Sequence, residues 1–219
     1  MIGKLYKLIL DIIRSIDLLT EIIWNIKLKK KLLPITYDLT SLVIKKALME
    51  YNKRGIKFYS YLDMGCGQIA ILGLFQKKIC LSTNVTSADI YESFLYNAKQ
   101  NASANKVDIH FIWTDLFSNI INKYDLISFN PPYVPISYKK KSYEYEKISY
   151  AGEDGTDAIS KFLKNAKNCM TNNGLIFLGV NLFYVSLSNL QNIVSNFDYK
   201  VVETIKKKPH KCIVLVLKK

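Results

Sequence analysis

The sequence predicts an α/β protein with a mostly parallel, seven-stranded sheet and an antiparallel hairpin at its C-terminal end. Short apolar runs typical of buried strands alternate with longer amphipathic segments along most of the 219 residues. This alternation predicts parallel neighbouring strands joined by right-handed helical crossovers. The last two apolar runs are separated only by residues 206–211, a link too short for a crossover helix. We therefore expect the last two strands to pair antiparallel at one edge.

The first predicted element covers residues 2–31 and is an amphipathic helix, or two helices broken near Thr20. Apolar residues recur there at spacings of three and four, with charges between them. The apolar face can cover the rest of the fold, dock a partner or target protein, or lie at a membrane surface beside its lysines. Because charges interrupt it, no stretch approaches the ~20 uncharged residues of a membrane span.

The remaining elements belong to a main domain predicted at residues 51–219, with residues 1–50 as an N-terminal helical extension. A turn is predicted at residues 34–38. Proline neither donates to a sheet ladder nor continues a strand, so Pro131 and Pro132 end the fourth strand abruptly. The predicted helices are residues 39–51, 69–75, 91–104, 157–170 and 186–195, and the predicted strands are residues 58–64, 85–90, 107–113, 124–129, 175–180, 199–205 and 212–217.

The net charge of +13 is carried almost entirely by lysine, since Arg14 and Arg54 are the only arginines. A charge of this size is typical of proteins that bind nucleic acid or another polyanion. Lysine acts as a point charge, however, whereas bidentate recognition of base edges favours arginine. Composition therefore leaves open both a solvated lysine-rich surface and a face that binds a polyanion.

The cysteines give no sign of a metal site or a disulfide framework. They are scattered without a Cys-x-x-Cys pair, and only His110 and His210 could complete a zinc site with them. We expect no metal. The N-terminus lacks a signal-peptide pattern, so we expect a cytoplasmic protein. The four cysteines are Cys66, Cys80, Cys169 and Cys212.

A glycine turn follows the first strand of the main domain, in the run Asp63-Met64-Gly65-Cys66-Gly67. Glycines at such a turn let the backbone approach a ligand closely, and the N-terminus of the following helix attracts negative charge. The run has neither the Gly-x-Gly-x-x-Gly spacing of dinucleotide sites nor the Gly-Lys-Ser/Thr of phosphate loops. It predicts a ligand site and disfavours NAD and nucleoside triphosphates.

Polar residues also follow the next three strands. Asp89 ends the second strand, where a carboxylate can accept both hydroxyls of a ribose. Asp115 follows the third, where it can accept from a purine amine, and Asn130 follows the fourth. Each Asp alone fits a helix cap or a turn equally well. Because the carboxyl ends of parallel strands meet at one edge of a sheet, we expect all of these residues to share one crevice.

This arrangement resembles the class I S-adenosylmethionine-dependent methyltransferases, which have a Rossmann-like sheet, over about residues 34–219. The resemblance implies S-adenosylmethionine as the cofactor, with its methionine part at the glycine turn, its ribose at Asp89 and its adenine at Asp115. The sequence departs from the family where Gln68 and Ile69 follow Gly67, since a third glycine is frequent there. The cofactor-binding residues that the resemblance implies are Asp63, Gly65, Cys66, Gly67, Asp89, Ile90, Asp115, Leu116 and Asn130.

The run Asn130-Pro131-Pro132-Tyr133 narrows the resemblance to enzymes that methylate a planar nitrogen, either a glutamine amide or the exocyclic amine of a nucleobase. The Asn130 side-chain oxygen and the Pro131 carbonyl can each accept one hydrogen of an NH2 group, while the Tyr133 ring covers the planar group. An amide nitrogen is a poor nucleophile, so the rate must come from alignment and from acceptors that strengthen as positive charge develops. We expect Asn130, Pro131 and Tyr133 to be the catalytic residues.

The segment after this motif favours a protein substrate. Residues 150–159 contain Gly152-Glu153-Asp154-Gly155 and resemble the corresponding stretch of the HemK-like protein-glutamine N5-methyltransferases, whose members act on release factors. The resemblance implies a protein or peptide substrate such as a release factor. In size the chain is nearer the short members of that family, which implies a small activator subunit as a partner.

Two other functions remain open from the sequence. Tyrosine and lysine alternate in an insertion between Val134 and Ile148, where bases could stack and phosphates could bind, so adenine-N6 methylation of RNA or DNA is an alternative. The second alternative is a non-catalytic, methyltransferase-like subunit that binds a partner through the N-terminal helix. The intact Asn130 and the three carboxylates argue against that last function.

Overall fold

The computed structural model describes residues 12, 16–29, 31–33, 37–138, 148–207 and 211–219. Within these residues the strands form one seven-stranded sheet. The strands are β1 (Ser60–Met64), β2 (Asn84–Asp89), β3 (His110–Trp113), β4 (Tyr124–Phe129), β5 (Met170–Asn181), β6 (Lys200–Lys206) and β7 (Cys212–Lys218).

The strand order across the sheet is β3-β2-β1-β4-β5-β7-β6. The first five strands of the chain pair in parallel, and β7 lies antiparallel between β5 and β6. This topology confirms the predicted α/β class, the mostly parallel sheet and the antiparallel C-terminal hairpin. Each predicted strand is found, with ends that shift by up to five residues.

Helices cover both faces of the sheet. Trp24, Ile44 and Leu74 from the first three described helices are buried against one face, whereas Phe162 and Leu190 are buried against the other. The helices are α1 (Asp17–Trp24), α2 (Leu39–Lys53), α3 (Ile71–Ile79), α4 (Glu92–Ala104), α5 (Asp157–Ala166) and α6 (Leu187–Asn196). No helix in the described part of the chain is both long and apolar enough to cross a membrane.

The N-terminal helix differs from the prediction for residues 2–31. Thr20 lies fully buried inside α1, and the break is found at Ile16 instead of Thr20: Ile12 is helical, whereas Ile16 is extended with φ −85° and ψ 114°. The helix ends at Trp24 because Asn25 adopts the left-handed conformation, φ 53° and ψ 45°, which asparagine tolerates better than most residues. Trp24 packs edge-on against Tyr37 and Phe75. Residues 1–11 and 13–15 of the predicted helix lie outside the described residues.

Residues 26–29 and 31–33, here called the N-terminal strap, continue without regular structure along α4. The backbone N–H of Lys27 donates to Asn105 Oδ1 at 2.8 Å, and that of Lys29 donates to Asn101 Oδ1 at 2.9 Å. The Leu33 N–H donates to Gln68 Oε1 at 2.8 Å. Side-chain amides therefore supply the partners that a strand or helix would otherwise give the strap.

Helix α2 approaches the sheet unusually closely at its N-terminal end. A Cβ atom at Gly179 of β5 would lie 2.6 Å from the Thr40 Cγ2 atom and 2.9 Å from the Ile44 Cδ1 atom of this helix. Only glycine leaves room for that contact. The close approach brings the first turn of α2, and Asp38 before it, toward the end of the sheet where β4 finishes.

Candidate active site

The carboxyl ends of four neighbouring strands form the edge at which the predicted site residues lie. In the sheet register, Met64 of β1 pairs with Ala88 of β2 on one side and with Phe129 of β4 on the other. Asp89 at the end of β2 pairs with Trp113 at the end of β3. The residues that follow these strands therefore emerge side by side, as expected from the sequence.

The glycine turn is fixed to β2 by Asp89. The Gly67 N–H donates to Asp89 Oδ2 at 2.8 Å, and the Tyr91 N–H donates to Asp89 Oδ1 at 3.0 Å. The Cys66 N–H donates to the Ala88 carbonyl at 3.0 Å, while Gly65 and Gly67 have φ values of 63° and 66°. Burial raises the pKa of Asp89, and backbone hydrogen bonds from Tyr91, Gly67 and Ile90 oppose that rise. An ionised carboxylate has about four acceptor sites, so these three donors leave it capacity for a ribose hydroxyl.

Asp63 lies behind the turn rather than at its surface. Its side chain is 2% exposed and accepts from the Gly73 N–H at 3.1 Å and from the Ser128 hydroxyl at 3.2 Å. The Tyr61 hydroxyl is 2.6 Å from the Ser128 hydroxyl. Burial raises the pKa of Asp63 to about 7, although both hydrogen bonds lower it. Asp63 thus joins β1, β4 and α3, and its contact with the methionine part of a cofactor stays a prediction.

The third carboxylate lies at the accessible side of the same edge. Asp115 is exposed, and its neighbour Leu116 is half-buried. Ile90 is 51% exposed, and its carbonyl accepts from the Trp113 indole N–H at 2.9 Å. An exposed apolar side chain directly after Asp89 suits contact with a flat ring.

The side-chain amide of Asn130 is oriented by specific hydrogen bonds. Its side-chain nitrogen donates to Asp38 Oδ1 at 2.9 Å and to the Ser41 hydroxyl at 3.2 Å. A carboxylate only accepts, so the nitrogen of the amide must face Asp38. The Asn130 Oδ1 atom is buried and has no hydrogen-bond partner among the described residues. The Pro131 carbonyl likewise accepts no hydrogen bond from them.

Tyr133 is built into the wall of this site. Its side chain is 7% exposed, and its hydroxyl donates to Asp38 Oδ2 and lies 2.8 Å from the Thr40 hydroxyl. Burial and the Asp38 carboxylate raise the pKa of Tyr133 well above its usual value. The ring stacks on Tyr184, with 6.1 Å between ring centroids. Whether the ring covers a bound planar group stays a prediction.

An aromatic rim continues outward from Tyr133. Tyr184 packs against Tyr138 and Phe183, with ring centroids 5.4 Å and 5.0 Å apart. Tyr138 is 50% exposed and Phe183 is 57% exposed. The rim therefore offers exposed aromatic surface beside Tyr133. Most of the predicted Tyr-Lys insertion, residues 139–147, lies outside the described residues.

The stretch after the insertion is held against the motif by its backbone. The Val134 N–H donates to the Ser149 carbonyl at 2.9 Å, and the Ile136 N–H donates to the Gly152 carbonyl at 2.9 Å. A Cβ atom at Gly155 would lie 2.3 Å from the Tyr133 carbonyl oxygen, and φ there is 79°. Glycine is required at this position on both counts. The Gly-x-Asp-Gly stretch thus packs directly behind the Asn-Pro-Pro-Tyr motif.

Asp38 is the site residue that the sequence analysis missed. The sequence assigned it to a turn, but it caps α2 by accepting from the Ser41 N–H at 2.8 Å and also reaches Asn130 and Tyr133. An Asp directly before a helix was the available signal, and it predicts a cap. The contact with a residue 92 positions away could not be read from local sequence.

The residues present fit S-adenosylmethionine. The edge offers a glycine turn, two strand-end carboxylates and an exposed apolar side chain at Ile90, which match the polar and flat parts of that molecule. Next to them, Asn130 Oδ1 is a buried acceptor without a donor. A buried acceptor of this kind is satisfied only when a donor such as an NH2 group binds.

Comparisons with known proteins agree with this geometry. The family model described as methyltransferase small domain matches residues 38–208. A Methanocaldococcus jannaschii protein assigned as a protein N5-glutamine methyltransferase is 30% identical over 152 residues, which cover 68% of this chain and 74% of that protein. The release factor glutamine methyltransferase of Lactococcus lactis is 30% identical over 148 residues. That match covers 64% of this chain but only 53% of the relative, so the chain spans about half of its length.

Solved structures show the same fold. A methyltransferase from Pyrococcus furiosus superposes with a TM-score of 0.63 at 17% identity, with 94% of each chain covered.

Proposed function

Since this chain belongs to the methyltransferase small domain family and its HemK-like branch, and is an S-adenosylmethionine-dependent methyltransferase, we propose that it methylates the side-chain nitrogen of a glutamine in a protein. The observation that carries the proposal is the orphaned Asn130 Oδ1 atom at the end of β4. Its partner would be one hydrogen of the glutamine NH2 group. The second hydrogen would be accepted by the Pro131 carbonyl.

The chemistry follows from what these acceptors do to the substrate. S-adenosylmethionine supplies an electrophilic methyl group when it is bound. Two acceptors in fixed positions hold the NH2 group so that its nitrogen lone pair points away from them. As the nitrogen becomes positively charged its hydrogens become better donors, so the bonds to Asn130 and Pro131 strengthen. The nitrogen gains the methyl group before it loses a proton, so no base has to act first, and the cationic product then releases one proton to solvent.

The relatives and the placement of the described arginine support a protein substrate over a nucleic acid. The aromatic rim of Tyr138, Phe183 and Tyr184 beside Tyr133 suits a peptide side chain and a base equally. Within the described residues the arginine is Arg54, whose two terminal nitrogens each donate a hydrogen bond to Glu203 at 2.8 Å. Its guanidinium is therefore not free to read a base edge. The relatives' names specify protein glutamine methylation, and one of them specifies a release factor.

We infer the partners and the compartment from the same function. A release factor is the substrate that the Lactococcus relative's name indicates, and a small activator subunit stays a prediction from the chain's size. We also expect the enzyme to act in the cytoplasm, in line with a release factor as its substrate. The predicted cofactor contacts and the division into residues 1–50 and 51–219 are also proposals of this kind.

A labelling experiment tests the substrate class. The purified protein is incubated with methyl-labelled S-adenosylmethionine and a cell lysate, and the products are digested with protease or with nuclease. We expect the label to become acid-soluble only after protease, and acid hydrolysis to release N5-methylglutamine or its breakdown product methylamine. Label that withstands protease and is released by nuclease would instead support methylation of a nucleobase amine.

A further inference from the structure

We propose that Asp38 is a positioning residue for methyl transfer, acting by fixing and polarising the side-chain amide of Asn130. The inference rests on the proposed function of Asn130 as the acceptor for the substrate nitrogen. It adds a residue from outside the strand-end motifs, at the N-terminus of α2, to the machinery of the site.

Asp38 is bonded to both parts of the motif that it would align. One carboxylate oxygen accepts from the Asn130 nitrogen at 2.9 Å, and the other accepts from the Tyr133 hydroxyl. The carboxylate is itself fixed by the Ser41 N–H at 2.8 Å and the Ser41 hydroxyl at 3.1 Å. All its described partners are donors, so the group is held in one orientation.

The consequence for Asn130 is a single amide orientation. Asp38 and the Ser41 hydroxyl, at 2.9 Å and 3.2 Å, occupy the donor side of the amide. Rotation by 180° would turn the Asn130 oxygen onto the Asp38 carboxylate, and two acceptors facing each other repel. Oδ1 must therefore point to the opposite side, where the structure shows a buried acceptor without a donor.

The Asp38 charge also changes the strength of that acceptor. A donor bonded to a carboxylate is polarised, and hydrogen bonds in a chain strengthen one another. The negative charge of Asp38 thus increases the electron density on Asn130 Oδ1. The effect is largest when the substrate nitrogen becomes positive, so it favours the transition state over the bound substrate.

A purely structural role is the alternative, because Asp38 also caps α2. The variant Asp38→Ser separates the two roles. Serine caps helices about as well as aspartate, so it keeps the bond from the Ser41 N–H. It is too short to reach Asn130 and carries no charge. Asp38→Asn keeps the size and an acceptor oxygen but loses the charge, so it is the intermediate case.

The control is Tyr51→Phe, near the other end of the same helix. Its hydroxyl donates to Glu203 at 3.0 Å. Removing that bond perturbs α2 without touching the site. The acceptor is the lysate protein labelled by the wild-type enzyme, purified to homogeneity, and each variant is measured for kcat, KM, cofactor affinity by calorimetry, and thermal midpoint.

We expect Asp38→Ser to lower kcat by about 10- to 100-fold, the range for a misaligned reacting group, and Asp38→Asn to lower it less. KM and cofactor affinity should stay within about twofold of wild type, and Tyr51→Phe should keep the wild-type kcat. An Asp38→Ser enzyme with wild-type kcat would overturn the inference. So would a loss of kcat in Tyr51→Phe matching that in Asp38→Ser at an equal drop in thermal midpoint.

The same series of variants separates failure of the proposed function from failure of the inference about Asp38. If the wild-type enzyme labels a nucleic acid amine, the proposed substrate is wrong, whereas a kcat loss in Asp38→Ser on that acceptor still supports the role of Asp38. If wild type labels no acceptor, both the proposed function and this inference are overturned.

Discussion

At the scale of single residues, the ends of β1 and β4 each carry a polar side chain that is taken out of water. Asn130 Oδ1 is buried without a donor, and Asp63 is a carboxyl group 2% exposed. The two side chains differ in whether the protein itself satisfies their hydrogen bonds. Asp63 is satisfied by Gly73 and Ser128 and so links three elements, whereas the Asn130 oxygen is satisfied only by something that binds.

We predict that Asn130→Ala lowers kcat by about 10²- to 10³-fold, because it removes one of two acceptors that strengthen in the transition state. Cofactor affinity, measured by calorimetry, should be retained. Asp115→Ala is the matched contrast, since we expect weaker cofactor binding with little loss of kcat at saturation. Equal turnover of Asn130→Ala and wild type would show that Asn130 does not act on the substrate.

The raised pKa of Asp63 predicts a pH dependence of stability. The pKa is about 7 in the folded protein and 3.8 in an unperturbed carboxyl group, so folding favours the protonated form. The stabilisation is complete below pH 3.8 and is lost as the pH rises through about 7. Within that window the contribution falls by up to about 1.4 kcal/mol per pH unit.

The test is urea unfolding of wild type and Asp63→Asn at several values between pH 4 and pH 7.5. Asparagine keeps an acceptor for the Gly73 N–H, offers an N–H to the Ser128 oxygen in place of the bond that Asp63 accepts from it, and does not titrate. The stability of the variant relative to wild type should therefore increase with pH across this range. Parallel pH profiles for the two proteins would contradict a raised pKa at Asp63.

At the scale of elements, the N-terminal strap and α2 pack beside the carboxyl ends of the strands, where the candidate site lies. The strap is bonded to α4 through Asn101 and Asn105 and to the residue after the glycine turn through Gln68. Gln68 also donates to the Leu33 carbonyl at 3.1 Å. The side chain of the residue that directly follows Gly67 therefore holds the strap at the glycine turn.

We predict that Gln68→Ala destabilises the protein by about 0.5–1.5 kcal/mol, because the Leu32 and Leu33 N–H groups exchange the Gln68 acceptor for water. Amide hydrogen exchange at these two residues should accelerate more than at α4. Gln68→Glu is the comparison, since it keeps the acceptor for the two N–H groups but replaces the donor to the Leu33 carbonyl by an oxygen and adds a charge at a position that is 4% exposed. If exchange at Leu32 and Leu33 were unchanged in Gln68→Ala, the strap would be held by other contacts.

At the scale of the whole molecule, the net charge of +13 has a different origin from the chemistry of the candidate site. The predicted edge contacts include acids and neutral side chains, and the rim beside Tyr133 is aromatic. A lysine-rich surface attracts polyanions without reading sequence, and such binding weakens steeply with salt.

We therefore predict that any affinity for single-stranded RNA depends steeply on salt and is largely lost by about 0.2 M. Methylation of the protein acceptor should persist in the same buffer and in the presence of added RNA. Fluorescence anisotropy with labelled RNA and a parallel methylation assay measure the two effects. RNA binding that withstands salt, together with methyl transfer to the RNA, would favour the nucleic-acid alternative.

Much of the architecture was predictable from local sequence. Strand β4 was predicted at its observed bounds because apolar residues run unbroken until Pro131 and Pro132, and proline has a local effect on any chain. The C-terminal hairpin followed from a short link between two apolar runs. The N-terminal helix was predicted too long, because Asn25 ends it through a backbone conformation that the apolar spacing does not reveal.

The sequence by itself determined which candidate site residues follow which strand: the glycine turn, Asp89, Asp115 and Asn130 follow four successive strands. Each of these could be recognised from a pattern only a few residues long. Only the tertiary structure decided which of these groups are buried and what each one contacts. Asp63 was buried by α3 and β4, and Asp38 reached Asn130 across 92 positions because Gly179 lets α2 approach the sheet. Burial and long-range hydrogen bonds depend on packing between distant segments, and local sequence does not encode that packing.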